Sequence, residues 1–169
     1  MLMFGYKKYE EERMDSILLD TSFCIRLLKS NDPLHQNSKD YFKYFLEKKI
    51  EIYLSSIVVA EYSVKDDANN LPLQFVKIIP FDFFDGKTAG EFHSILLNNK
   101  EHIANIERNV IKDDCKIIAQ LFNRNIQGYI TKDKKSFDQI IQPITTNKKF
   151  SIELIDLEIP LNEHKRELF

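Results

Sequence analysis

The sequence predicts an α/β fold: a three-layer sandwich with a mainly parallel central sheet and helices on both faces. Three observations predict it. Short apolar runs of strand length alternate with longer amphipathic runs from residue 17 to residue 157. The first strand-like run, 17–19, ends at Asp20-Thr21-Ser22, which is good chemistry for a strand that turns directly into a helix. Only four glycines and five prolines interrupt 169 residues, and no segment is repetitive or low in complexity.

After that junction, "FCIRLLK" reads as a helix with Cys24, Leu27 and Leu28 on one face. "NDP" at 31–33 is a turn. From 35 to 48, Tyr41, Phe42, Phe45 and Leu46 mark a second amphipathic helix. "IEIYLSS" is strand-like, and "SIVVAEYSVK" then turns helical, with Glu61 three and four residues after Val58 and Ile57 and so on or beside the inward stripe. "FVKIIPFD" is a third strand, and "GKTAGEFHSILL" a helix with Ala89, Phe92 and Leu96 in phase. Residues 98–109 are polar and helix-compatible without a clear place. The helix 110–123 follows, then a short strand from Tyr129 to Thr131 running on to Asp133. "FSIELIDL" is the last strand. The aromatic-rich "IIPFDFF" reads as core plus an exposed edge.

The length suits one domain, and 43% hydrophobic residues suffice for a core. The expected organisation is a flexible N-terminal extension at 1–14, a domain at 15–158 and a charged C-terminal tail at 159–169. Net charge is −2 and the isoelectric point near 6.1, which argues against a protein held on nucleic acid by bulk charge. It leaves room for an enzyme that meets nucleic acid through a local basic rim. Cys24 and Cys115 form no CxxC and no zinc spacing with histidine, and two thiols within helices fit a reducing cytoplasm. No run approaches the roughly 18 apolar residues of a membrane helix. "MLMFGYKKYEEERM" is too short and too charged for a signal peptide, and Met14 would make a sensible first residue.

One segment carries a chemical question. In "VIKDDCKIIAQLF", Asp114 is followed at i+3, i+4 and i+7 by Ile117, Ile118 and Leu121, so a carboxylate heads a stripe that should face the core. Parallel sheets bind ligands at the carboxyl ends of their strands. Asp20 and Asp133 lie at such ends, and Glu61 and Asp114 lie near helix starts at the same edge. Four acids from four distant segments can therefore converge. Clustered carboxylates repel one another unless a cation neutralises them. An all-oxygen set without His or Cys suits Mg²⁺ or Mn²⁺, and such ions activate water and stabilise charge on a phosphate under attack. The chemistry indicated is metal-dependent phosphodiester hydrolysis.

These motifs resemble the PIN-domain ribonucleases, especially the VapC-like toxins. "LLDTSF" looks like the family's first strand and its Asp, "SSIVVAEYSVK" like the second motif with its Glu, and "DDCKIIAQ" like its Asp-x-x-Ile-x-Ala helix, with the match on Asp114. "YITKDKKSF" looks like the Thr-x-Asp end of a later strand, giving Asp133, and "NDPLHQNSKDYF" resembles the early helical hairpin. The likeness spans about residues 16–157 in order. It implies a Rossmann-like PIN sandwich and Mg²⁺- or Mn²⁺-dependent cleavage of RNA. A frequent homodimer and a cognate antitoxin are also implied, with Asp20, Glu61, Asp114 and Asp133 as the catalytic metal ligands.

Each residue also has a plain reading. Asp20 could be only an N-cap, Glu61 a solvated helix acid, Asp114 a complement to the helix dipole, and Asp133 an ordinary surface acid in a lysine-rich turn. Asp113 is read as a cap or a helper beside the metal ligands. Thr21 and Ser22 are read as helix caps, one of which orients Asp20, and Thr131 as doing the same for Asp133. Lys132, Lys134 and Lys135 are a solvated turn or, beside the acids, contacts for an RNA backbone. His35, His93, His102 and His164 show no metal pairing and read as structural or surface. Cys115 lacks the histidine of a thiol nucleophile.

Competing α/β families fit less well. HAD phosphatases need Asp-x-Asp after the first strand, and residue 22 is Ser. Receiver domains need an acidic pair at a strand end, and Asp66-Asp67 and Asp113-Asp114 do not follow strands. The alternative of a different class is a non-catalytic interaction module whose acids bind a partner's basic side chains.

Overall fold

The structure, a computed structural model, describes residues 14–167, with side chains described as far as His164. The expected N-terminal extension lies outside the described residues except for Met14, which packs against the core. Five parallel strands form one sheet in the order β3-β2-β1-β4-β5. They are β1 (Ser16–Leu19), β2 (Glu51–Ser55), β3 (Lys77–Ile79), β4 (Gly128–Thr131) and β5 (Glu153–Asp156). The helices are α1 (Thr21–Leu28), α2 (His35–Glu47), α3 (Ser56–Ser63), α4 (Phe83–Leu97), α5 (Lys100–Ile103), α6 (Arg108–Asn123), α7 (Lys134–Lys148) and α8 (Leu161–Glu167). The predicted α/β sandwich is the observed fold, and its sheet is parallel throughout.

Strand order decides where a ligand can sit. The chain leaves β1, builds outward through β2 and β3 on one side, then returns to place β4 and β5 on the other. Connections on the two sides of β1 therefore depart to opposite faces, and a crevice opens beyond the carboxyl ends of β1 and β4. Leu18 of β1 lies between Tyr53 of β2 and Tyr129 of β4 in register. Ile17, Leu18 and Leu19 are essentially inaccessible, as a central strand covered on both faces must be.

Several elements differ from expectation. Helix α6 begins at Arg108, so Asp113 and Asp114 lie in its second turn, and Glu107 rather than Asp113 is the N-cap residue. Helix α4 begins at Phe83, because Asp82 and Asp85 form a reciprocal capping box. Phe83 and Phe84 consequently occupy an exposed first turn, and Ile78 is also exposed, so only Ile79 of "IIPFDFF" joins the deep core. The charged tail contains α8, docked through Tyr41 OH donating to the Ile159 carbonyl at 2.8 Å and through a buried His164.

Helix α7 had no counterpart in the sequence reading. Its buried residues Phe137, Ile140, Ile141 and Ile144 keep helical spacing, but Pro143 sits inside and masks the pattern. Proline removes the hydrogen bond to the carbonyl four residues earlier and crowds it, at about 3 kcal/mol in a helix interior. Pro143→Ala is expected to raise the thermal midpoint by several degrees, which differential scanning calorimetry would measure. An unchanged midpoint would mean that the helix has already bent to relieve the ring.

Candidate active site

Asp20 follows β1 at the crevice and is held from three sides. Its backbone is extended (φ −80°, ψ 158°), which places it as the N-cap residue of α1 and lets its side chain accept from the Ser22 amide at 3.3 Å. Its own amide donates to the Ile130 carbonyl at 3.2 Å across the β1–β4 junction. Oδ1 accepts from Tyr129 OH at 2.8 Å, and Oδ2 accepts from Thr131 Oγ1 at 2.8 Å and from the Ser22 hydroxyl.

Two of these hydroxyls relay to the loop after β4. Ser22 Oγ accepts from the Lys132 amide at 3.0 Å, and Thr131 Oγ1 accepts from the Asp133 amide at 3.1 Å. Each hydroxyl thus donates to Asp20 while accepting from a loop N–H, which uses its donor and acceptor capacity together. Asp20 is the cap and also the hub that fixes the backbone of Lys132 and Asp133. Thr21, expected as a cap, instead donates to Glu61 Oε2.

Tyr129 was not picked out from sequence. It is almost fully buried, and burial first, then the charges of Asp20 and Asp114, raise its pKa well above that of an ordinary phenol. It therefore stays a donor. The usable signal was the period of two in a strand: Tyr129 and Thr131 share a face, and that face meets Asp20. Tyr129→Phe deletes the hydrogen bond to Oδ1 with little change in shape. If Asp20 holds a metal, divalent-ion affinity measured by calorimetry should fall about 10–100-fold.

The other three acids stand differently from one another. Asp114 is half-buried, on the α6 face that carries buried Ile111, Ile117, Ile118 and Leu121. Burial, followed by the negative charges of Asp20, Glu61, Asp113 and Asp133, pushes its pKa up to about 8. Among the described residues nothing donates to it or pairs with it. Its second-turn position also weakens the dipole explanation, which acts mainly in the first turn. Glu61 is at the rim, beside the inward stripe: Val58 and Tyr62 form the buried face of α3. Partial burial of its carboxyl raises the Glu61 pKa, the Thr21 hydrogen bond opposes this, and Asp20 and Asp113 add to the rise. Asp133 is exposed at the start of α7 and makes no side-chain cap bond there. Asp113 pairs with Lys116 at 2.7 Å. Lys132 and Lys134 are half-buried, Lys135 is exposed, and none has an acidic partner among the described residues.

The four predicted acids thus share one electrostatic field from four segments, with Asp114 at its centre. Among the described residues, no three His, Cys, Asp or Glu side chains have the geometry of a ready-made metal cage. The donor set nonetheless fits a hard divalent cation: every group is a carboxylate, the groups repel one another, and among the described residues Asp20, Glu61, Asp114 and Asp133 form no ion pair with a basic side chain. Cys115 does not compete as a nucleophile, because burial and the neighbouring Asp114 push its thiol up to about 12. Among the described residues no helix is long and apolar enough to cross a membrane.

No family model matches the sequence, and no curated protein matches it. Solved structures do resemble it. A chain of VapBC2 from Rickettsia felis, bound to a DNA fragment from their promoter, aligns with a TM-score of 0.59 at 20% identity, over 83% of this chain and 98% of that one. DNA-bound VapBC from Salmonella typhimurium gives 0.56 at 18% identity, over 85% and 99%. VapBC-1 from nontypeable Haemophilus influenzae gives 0.54 at 18% identity, again over 85% and 99%. At these identities the likeness is one of architecture, and it extends to nearly the whole of each neighbour: the chain has the PIN-domain fold found in VapBC toxin–antitoxin complexes.

Proposed function

We propose that the chain is a metal-dependent endoribonuclease and the toxin of a toxin–antitoxin pair. It would act in the cytoplasm as a homodimer with Mg²⁺ or Mn²⁺ and be restrained by a cognate antitoxin. The observation that carries this reading is Asp20, clasped by Tyr129, Thr131 and Ser22 at the switch point of the sheet, with Glu61, Asp114 and Asp133 contributing to the same negative field. The solved neighbours in VapBC complexes support the antitoxin partner.

Asp20, Glu61, Asp114 and Asp133 would hold the cation. A bound divalent ion supplies a nucleophilic water at neutral pH and stabilises the charge that builds on the attacked phosphate. The chain's own residues do the rest. Tyr129 and Thr131 fix both oxygens of Asp20, so that it needs no reorganisation when substrate arrives. The relays through Ser22 and Thr131 set the loop that carries Lys132 and Asp133, which puts a cationic side chain beside the acids for the RNA backbone.

The test is cleavage of a labelled single-stranded RNA pool with Mg²⁺, with Mn²⁺ and with EDTA, by wild type and by Asp20→Asn. Cleavage should need the metal and vanish in the variant. A folded wild type that binds metal but cleaves nothing would favour the non-catalytic interaction module. Cleavage untouched by Asp20→Asn would move the active site elsewhere.

A further inference from the structure

The two oxygens of Asp20 are not equivalent. Ser22 Oγ accepts from the Lys132 amide at 3.0 Å, and Thr131 Oγ1 accepts from the Asp133 amide at 3.1 Å. An amide N–H cannot accept in return, so each hydroxyl directs its own hydrogen elsewhere. Both hydrogens go to one atom, Asp20 Oδ2, from Ser22 and from Thr131 at 2.8 Å. The Ser22 amide reaches the same oxygen at 3.3 Å.

An ionised carboxyl group offers about two lone-pair sites per oxygen. Two hydroxyls and an amide therefore use all that Oδ2 has, and their hydrogens present positive charge to an approaching cation. Oδ1 accepts from Tyr129 OH alone among the described residues, at 2.8 Å, and keeps one site free. The arrangement is not a local turn. Tyr129 and Thr131 stand 109 and 111 residues from Asp20 in sequence, and the pairing of β1 with β4 brings them to it. Glu61 repeats the asymmetry: Thr21 donates to Oε2, and Oε1 has no partner among the described residues.

Divalent ions differ in what they ask of a carboxylate. Ca²⁺ takes about 6–8 oxygens in flexible geometry and often grips both oxygens of one carboxylate. Mg²⁺ is smaller, demands octahedral geometry, uses one or two carboxylates and keeps several waters. Covering one oxygen on each of two acids removes donors that Ca²⁺ needs and Mg²⁺ does without.

Building on the metal-dependent reading, we infer that Ser22 and Thr131 set which ion the crevice accepts. They cover Oδ2 and make Asp20 a one-oxygen ligand, Thr21 does the same to Glu61, and the crevice thereby discriminates against Ca²⁺. Tyr129 has a different part: it orients Asp20 for every ion alike.

The experiment titrates the full chain with Mn²⁺, Mg²⁺ and Ca²⁺ in separate calorimetric runs, without RNA. Wild type should bind Mn²⁺ about tenfold or more tightly than Ca²⁺. Ser22→Ala with Thr131→Val uncovers Oδ2, and the affinity for Ca²⁺ relative to Mn²⁺ should rise about tenfold. Thr131→Ser keeps a hydroxyl and should keep the wild-type ratio. Tyr129→Phe should weaken all three ions together and leave the ratio alone. Thermal melts check that each variant folds; should the double variant fail, either single substitution should move the ratio in the same direction. Equal binding of Ca²⁺ and Mn²⁺ by wild type would overturn the inference. So would a uniform loss for all three ions in the double variant, because the hydroxyls would then only orient Asp20. A folded wild type that binds none of the three would overturn it together with the metal-dependent reading. Selective binding without RNA cleavage would sink the nuclease reading alone; metal-dependent cleavage with an unmoved ratio would sink the ion selection alone.

Discussion

Asp114→Asn is expected to abolish RNA cleavage, by about 10³-fold or more, while making the metal-free protein more stable. The two effects have one cause. Burial first, and then the like charges around it, push the Asp114 pKa up to about 8. In the unfolded chain an aspartate titrates near 3.9. The fold therefore binds an extra proton between those values, and stability falls as pH rises from about 4 to about 8, then levels off. Asparagine removes the charge and the slope. The variant should match wild type near pH 4 and exceed it by about 0.5–2 kcal/mol at pH 8, the usual gain when a strained functional charge is relieved. That is about 1–8 °C in midpoint for a chain of this size. Added Mg²⁺ or Mn²⁺ should raise the midpoint of wild type but not of the variant, since only a binding-competent fold gains from ligand. Thermal melts across pH 4–9, with and without metal, check all three parts. A variant less stable than wild type at pH 8 without metal would show that Asp114 is not under like-charge strain.

Arg124→Ala is expected to destabilise the fold by about 3–5 kcal/mol without touching the acids of the crevice. Asp85, in the first turn of α4, has no accessible surface. Arg124, at the end of α6, donates to Asp85 Oδ1 at 2.6 Å and to the Pro80 carbonyl at 2.9 Å, and lies 3.5 Å from Asp82. Asn123 adds a bond to Asp85 at 3.0 Å. Burial alone would raise the Asp85 pKa, but the bonds from Arg124, Asn123 and the Asp82 amide outweigh it and hold it below the usual value. This contribution is present above about pH 4 and is lost as pH falls through the lowered pKa. Removing Arg124 strands a buried carboxylate, so the variant should instead lose stability as pH rises above about 4. Urea unfolding at pH 3 and pH 7 separates the cases. The double variant Arg124→Met, Asp85→Leu should recover most of the loss, because replacing both partners leaves no buried charge. A loss below 1 kcal/mol in the single variant would mean that water reaches Asp85.

Where the sequence reading succeeded, the signal was local. The strand ending in Asp20 and the stripe Asp114, Ile117, Ile118, Leu121 both follow from side-chain period, and period survives folding because it is set by backbone geometry. Where it failed, a local feature hid or mimicked another. Pro143 interrupted a pattern that packing of Phe137, Ile140, Ile141 and Ile144 sustains regardless. Residues 80–85 looked like strand end and core, because the Asp82–Asp85 capping box is legible only once the helix start is known.

The amino-acid order by itself determined the α/β class and the strand–helix junction at Asp20, since each depends on contacts within a few residues. Only the tertiary structure decided that β4 lies beside β1, that Tyr129 and Thr131 therefore clasp Asp20 across more than a hundred residues, and that Asp114 carries the repulsion of four other carboxylates. Sheet order is chosen by the burial of whole faces, and a field of like charges exists only after those faces have met.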